Sequence, residues 1–156
     1  MRMRITDNPT FIEKLDRIEE LERDRIYCGH GLGHLLDVAR IAYIYSLEEN
    51  LGFTRDLIYA TSLLHDIGRA DEYESGIPHD EAGAVTADRV LRECGYDEKV
   101  IAEVCEAIAC HRGQELGEGG SLGELIRRAD KESRCCFRCG ARDSCKWKVK
   151  NEGVMR

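Results

Sequence analysis

The sequence predicts an all-α domain, a bundle of about five to seven helices followed by a short Cys-rich tail. Three observations predict it. Apolar residues recur at steps of three and four along most of the chain, the spacing of one helical face. No stretch of useful length alternates apolar and polar residues as a half-buried strand would. Only 2 of the 156 residues are Pro, so long helices are uninterrupted.

The first helix starts at Pro9-Thr10-Phe11-Ile12-Glu13, with Thr10 and Glu13 in capping-box spacing. Phe11, Leu15, Ile18 and Leu21 form its apolar stripe. Gly29, Gly31 and Gly33 interrupt the chain, after which His34, Val38, Ile41 and Tyr45 share one face of a second helix that Gly52 closes. The third helix runs from Thr54 or Arg55 to about Gly68 and is apolar on most sides, which places it inside the bundle. Residues 69–79 are polar, contain Gly76 and Pro78, and read as a loop. Ala84, Ala87, Val90 and Leu91 mark a helix from Asp80 to Cys94, ended by Gly95. Asp97 can cap the next, with stripe Val100-Ile101-Val104-Ile108 and an end near His111-Arg112-Gly113. After a Gly-rich acidic loop, Ser121 and Glu124 form a second capping box, and Leu122, Leu125, Ile126 and Ala129 lead to Asp130. The division expected is a domain over 1–133 and a basic Cys-rich extension over 134–156.

At 42% hydrophobic and 34% charged residues the chain has the composition of a globular domain. No apolar run approaches the roughly 20 residues of a membrane span. The N-terminus lacks the apolar region of a secretory signal, so a cytoplasmic location is expected. A net charge of -7 argues against duplex nucleic acid as the main partner. Small phosphorylated molecules remain compatible, and pairing into a homodimer is left open.

The five His residues are His30, His34, His65, His79 and His111. Each falls at a helix end or in a flanking loop. One such His is ordinarily a core or surface residue. Five in this pattern, with Asp66 and Asp130, indicate a site. Imidazole and carboxylate together suit a divalent Fe, Mn, Zn, Ni, Co or Mg ion. Such an ion makes a nucleophile from water near neutral pH.

The strings His34-Leu35-Leu36-Asp37-Val38-Ala39 and Leu63-Leu64-His65-Asp66-Ile67-Gly68-Arg69, with Asp130 downstream, resemble the HD superfamily of metal-dependent phosphohydrolases. The resemblance covers roughly residues 26–131. It implies that His34, His65, Asp66 and Asp130 bind a metal. Members with two metals, among them dinucleoside tetraphosphate hydrolases and HD-GYP phosphodiesterases, carry further His residues, matched here by His79 with Gly83-Ala84 and by His111. The resemblance then implies one ion or two, with Asp66 as a bridge. His79 and His111 contacting substrate phosphate is the alternative. The string from His30 to Val38 is also similar to the His-Asn-x-x-His-x-x-Asp-Val of cyclic nucleotide phosphodiesterases, with Gly31 in place of Asn. That similarity implies a general-acid role for His30, with support of the metal ligands as its alternative. Arg69 is a candidate phosphate clamp, because a guanidinium grips two phosphate oxygens. The substrate expected is a phosphoester or phosphoanhydride, a nucleotide first. A non-catalytic metal- or nucleotide-binding regulatory module is the alternative.

Of eight Cys residues, Cys94, Cys105 and Cys110 lie in helical patterns and read as buried thiols. Cys136, Cys139 and Cys145 have the spacing of a zinc or iron–sulfur site that lacks one ligand, which Cys135 or Cys28 would supply. Reduced thiols or a disulfide formed on handling are the other readings, and a redox or metal sensor built on this tail is a third function. Arg134, Arg138, Arg142, Lys146, Lys148 and Lys150 are expected to be solvated.

Overall fold

The computed structural model describes residues 3–110, 120–148 and 150–153. Among these, seven α-helices and no strand are present. They are α1 (Pro9–Leu21), α2 (Leu32–Glu48), α3 (Arg55–Leu64), α4 (Arg69–Ser75), α5 (His79–Glu93), α6 (Glu98–Cys110) and α7 (Leu122–Glu132). No helix is long and apolar enough to cross a membrane.

The helix starts follow local chemistry. Asn8, not Thr10, caps α1: its side-chain oxygen accepts the Phe11 N–H at 3.1 Å, and Pro9 takes the first helical position. Pro is preorganised there and has no N–H to satisfy, so the helix begins one residue before the expected capping box. Thr54 caps α3 through the Leu57 N–H, and Ser121 caps α7 through the Glu124 N–H.

Two departures concern the centre of the chain. The third helix stops at Leu64, and residues 65–68 form a turn in which the Ile67 N–H reaches Leu64 O and the Arg69 N–H reaches Asp66 O. The expected loop over 69–79 is instead mostly α4. Seven residues with only Ala70 buried are too few to show a helical period. The helix is held by Asp71 and Glu72 in its first turn, which suit the positive end of the helix dipole. It ends on Gly76, whose left-handed φ of 71° costs glycine little.

Packing places α2 along α3 and α7, α5 along α6, and α1 on α4. One buried cluster gathers Phe11, Ile18, Leu64, Ile67, Leu91 and Ile108. A second gathers Val38, Tyr45, Ile58, Ile126 and Ala129 between α2, α3 and α7. Each large side chain buried in these clusters contributes roughly 1.5–3 kcal/mol. Arg128 of α7 stacks over the Tyr45 ring at 3.6 Å from its centroid, and the Tyr45 hydroxyl donates to Glu132. These contacts fix α7 against α2. The tail folds back on the domain, the Asn151 side chain donating to Glu132 O at 3.0 Å.

Candidate metal centre

The first turn of α2, the turn after α3 and the end of α7 meet at one point. They bring His34, His65, Asp66 and Asp130 together, with one ligand atom from each lying within 4.8 Å of the others. His34 Nε2 stands 3.1 Å from Asp130 Oδ1 and 3.5 Å from Asp66 Oδ2. His65 Nε2 stands 2.9 Å from Asp66 Oδ2. His65 and Asp66 are closed to solvent, at 0% and 2% exposure.

The orientation of each imidazole is set from behind. His65 Nδ1 donates to Ser62 O, one turn back, at 2.6 Å. His34 Nδ1 lies 3.3 Å from the Ser133 hydroxyl, which itself donates to Asp130 O at 2.6 Å. Both Nε2 atoms therefore face the centre, as metal-ligating His residues held by their other nitrogen do. Asp130 Oδ1 is buried without a hydrogen-bond donor in good geometry. A donor set of two imidazoles and two carboxylates around such an oxygen fits a divalent cation.

Charge points the same way. Burial disfavours the ionised forms, but the carboxylates of Asp66 and Asp130 overcome it and push the His65 pKa up to about 10. Asp66 and Asp130 are held well below the usual carboxylate range by His65 and His34, again against burial. Without metal, a proton on His65 offsets part of the charge of the two carboxylates, and a cation takes that proton's place.

The other oxygen of Asp66 faces elsewhere. Asp66 Oδ1 accepts from Arg69 Nε at 3.1 Å and lies 3.7 Å from His79 Nε2. His79 is buried and held through Nδ1 by Glu72 at 2.6 Å. Its partner in the two-metal expectation, His111, lies outside the described residues.

His30 sits beside the centre, its ring edge-on to His34 with centroids 5.8 Å apart. Glu22, which the sequence did not single out, grips it twice. One carboxylate oxygen accepts the His30 backbone N–H at 2.7 Å and the other contacts Nδ1. Tyr73 donates to the same carboxylate at 2.7 Å. Burial raises the Glu22 pKa, but the bonds from His30 and Tyr73 dominate and bring it down to about 2. Burial holds the His30 pKa below its ordinary value, against the pull of Glu22 and Asp66.

Arg134 corrects the expectation of a solvated tail. It is 8% exposed, with Nη1 donating to Gly29 O at 2.7 Å and Nη2 to His34 Nε2 at 3.1 Å. A tail cation reads as surface from composition alone; only the fold shows that it closes the site. His30, Arg69 and Arg134 face a cleft of about 310 Å³ whose other walls include Arg25, Tyr27, Lys146 and Trp147.

Fold and site together give an all-α scaffold with a His/Asp cluster that could hold a divalent metal. The family model for the HD domain matches residues 31–141, and the chain belongs to that family. An uncharacterized protein of Clostridium beijerinckii is 39% identical over 92% of this chain and 89% of its own length. Ribonuclease Y of Enterococcus faecalis is 34% identical over 81% of this chain, which spans 23% of that enzyme. The crystal structure of a predicted HD superfamily hydrolase from an uncultured Thermotogales bacterium has a TM-score of 0.58, at 29% identity, over 82% of this chain and 72% of the other.

Proposed function

We propose that this chain hydrolyses a phosphate ester or anhydride of a small molecule, a nucleotide first, using a divalent cation held by His34, His65, Asp66 and Asp130. The observation that carries the reading is the convergence of those ligand atoms beside a cleft whose walls carry four cations, Arg25, Arg69, Arg134 and Lys146. When bound, the ion supplies Lewis acidity toward water and a phosphoryl oxygen.

The chain's own groups do the rest. Arg69 and Arg134 neutralise phosphoryl oxygens, each with a planar fork that matches two of them. Were His34 Nε2 to hold the ion, Arg134, bonded to Gly29 O, would have its other nitrogens for the phosphate. His30, when protonated, keeps its Nδ1–H on Glu22 and gives its Nε2 proton to the leaving oxygen, returning to the neutral imidazole. Tyr27 and Trp147 give the cleft apolar faces on which a nucleobase can stack. Arg69 holds the side of Asp66 that His79 faces, so the reading begins with one ion. A second ion on the His79 side of Asp66 would compete with that guanidinium.

The test is a metal-supplemented panel of nucleoside monophosphates, cyclic nucleotides, dinucleoside polyphosphates and a short oligoribonucleotide. Turnover of one class by the wild type and none by Asp66→Ala supports the reading. Metal binding with no turnover of any class would make the chain a binding module instead.

A further inference from the structure

Cys28, Cys136, Cys139 and Cys145 converge on one corner of the molecule. Cys136–Arg138 is a single 3-10 turn, closed by the Cys139 N–H on Cys136 O at 3.2 Å. A second 3-10 turn, Arg142–Ser144, delivers Cys145. The loop before α2 comes to meet them. The Tyr27 hydroxyl lies 3.3 Å from Ser144 O, between the neighbours of Cys28 and Cys145. Arg134 binds Gly29 O on the other side of Cys28. Cys28 and Cys145 both face the substrate cleft. Cys136 is buried, Cys28, Cys139 and Cys145 are half-buried, and Cys135 is exposed.

The Cys28 thiol also senses the other three. Burial pushes the Cys28 thiol up, and Cys136, Cys139 and Cys145 push it further, against Arg134. A thiol raised by its neighbours in this way gains from a dication, which deprotonates it and removes the repulsion. The four sulfurs are spread more widely than the ligand atoms of the His34 group. They sit on 3-10 turns and a loop outside the seven helices, segments that can adjust toward zinc–sulfur bonds of about 2.3 Å without moving a helix.

We propose that Cys28, Cys136, Cys139 and Cys145 form a mononuclear tetrathiolate zinc site that fastens the C-terminal tail to the loop before α2. The site sets the position of Lys146 and Trp147 in the cleft wall and of Arg134 beside His34. Cys-x2-Cys on one turn, completed by two ligands from elsewhere, is the ligand pattern of structural zinc. The sequence left Cys28 and Cys135 open as the fourth ligand; the fold brings the Cys28 loop to the tail and leaves Cys135 exposed.

Cobalt exchange in the full chain tests this without the HD site interfering. Only thiolate ligands give the near-ultraviolet sulfur-to-cobalt charge-transfer absorption, and the His/Asp centre has none. The wild type should hold about one zinc per chain at this site as isolated and show the band after exchange with Co²⁺. Cys28→Ser and Cys145→Ser should each lose zinc and weaken or abolish the band. Cys135→Ser should keep both. Trp147 is the sole tryptophan of the chain, so its emission should shift to the red when the zinc is removed. Far-UV circular dichroism showing retained helix in Cys28→Ser separates lost metal from lost fold. Absence of the band in the wild type, loss of the band in Cys135→Ser alone, or iron with acid-labile sulfide would each overturn the proposal.

Discussion

Replacing Gly68 by Ala tests how the HD turn is built. Gly68 is not in a left-handed conformation; its φ is -79° and ψ is -2°, which any residue adopts. Its constraint is space. A Cβ there would stand 2.2 Å from His79 O and 2.5 Å from Gly83 N. Both are backbone atoms of the first turns of α5, so no side chain can rotate away. Relief requires α5 to move by about an ångström from the turn that carries His65 and Asp66. Overpacking costs typically 1–3 kcal/mol, and the rigid neighbours put Gly68→Ala at about 3. For a chain of this size each kcal/mol lowers Tm by roughly 2–4 °C, giving a fall of about 6–12 °C by circular dichroism. Gly33→Ala is the control. Gly33 lies in the exposed first turn of α2 next to His34, with nothing within 4 Å of its Cβ position. There the lost chain entropy of glycine should raise stability by about 0.4–1 kcal/mol. A Gly68→Ala protein as stable as the wild type, or more stable than Gly33→Ala, would refute the packing argument.

Four more predictions concern the site. Because His65 in the metal-free protein holds its proton up to about pH 10, metal must displace that proton; calorimetry between pH 6 and 9 should show apparent affinity rising by up to about tenfold per pH unit, and a pH-independent affinity would contradict the assignment. Glu22 is ionised in the fold down to about pH 2, against an ordinary value of 4.5. Its contribution to stability is therefore present above pH 4.5 and lost as pH falls toward 2, and acid unfolding of Glu22→Gln should be less steep through that window. His30→Ala should slow hydrolysis of substrates with poor, alkoxide-like leaving groups by roughly 10²–10⁴-fold, and of nitrophenyl esters much less, with metal content retained; equal losses on both would make His30 structural. Arg134→Lys should raise KM for the phosphorylated substrate more than it lowers kcat, because a lysine cannot hold Gly29 O and a phosphate oxygen with one fork; an unchanged KM would remove Arg134 from the substrate side.

What the sequence made legible follows from period and length. Long amphipathic helices such as α2 and α6 show their faces in the spacing of Val38, Ile41 and Tyr45, or Ile101, Val104 and Ile108. The short α4 does not, since it buries a single residue. His34, His65, Asp66 and Asp130 are recognisable because their residue types and helix positions combine into one chemical pattern, and the fold brings them together. Glu22 and Arg134 carry no such local mark. Glu22 ends a surface helix as an ordinary acid, and Arg134 lies in a run of tail cations. Their roles arise from contacts made across the chain, to His30 eight residues on and to His34 a hundred residues back.

The central claim is that Asp66 and its three partners hold a catalytic cation. Equilibrium dialysis against Mn²⁺ tests it most directly, since manganese favours carboxylate and imidazole over the thiolates of the tail. The wild type should bind at least one Mn²⁺ per chain and Asp66→Ala none at the same free concentration. Full Mn²⁺ stoichiometry in Asp66→Ala would contradict the account.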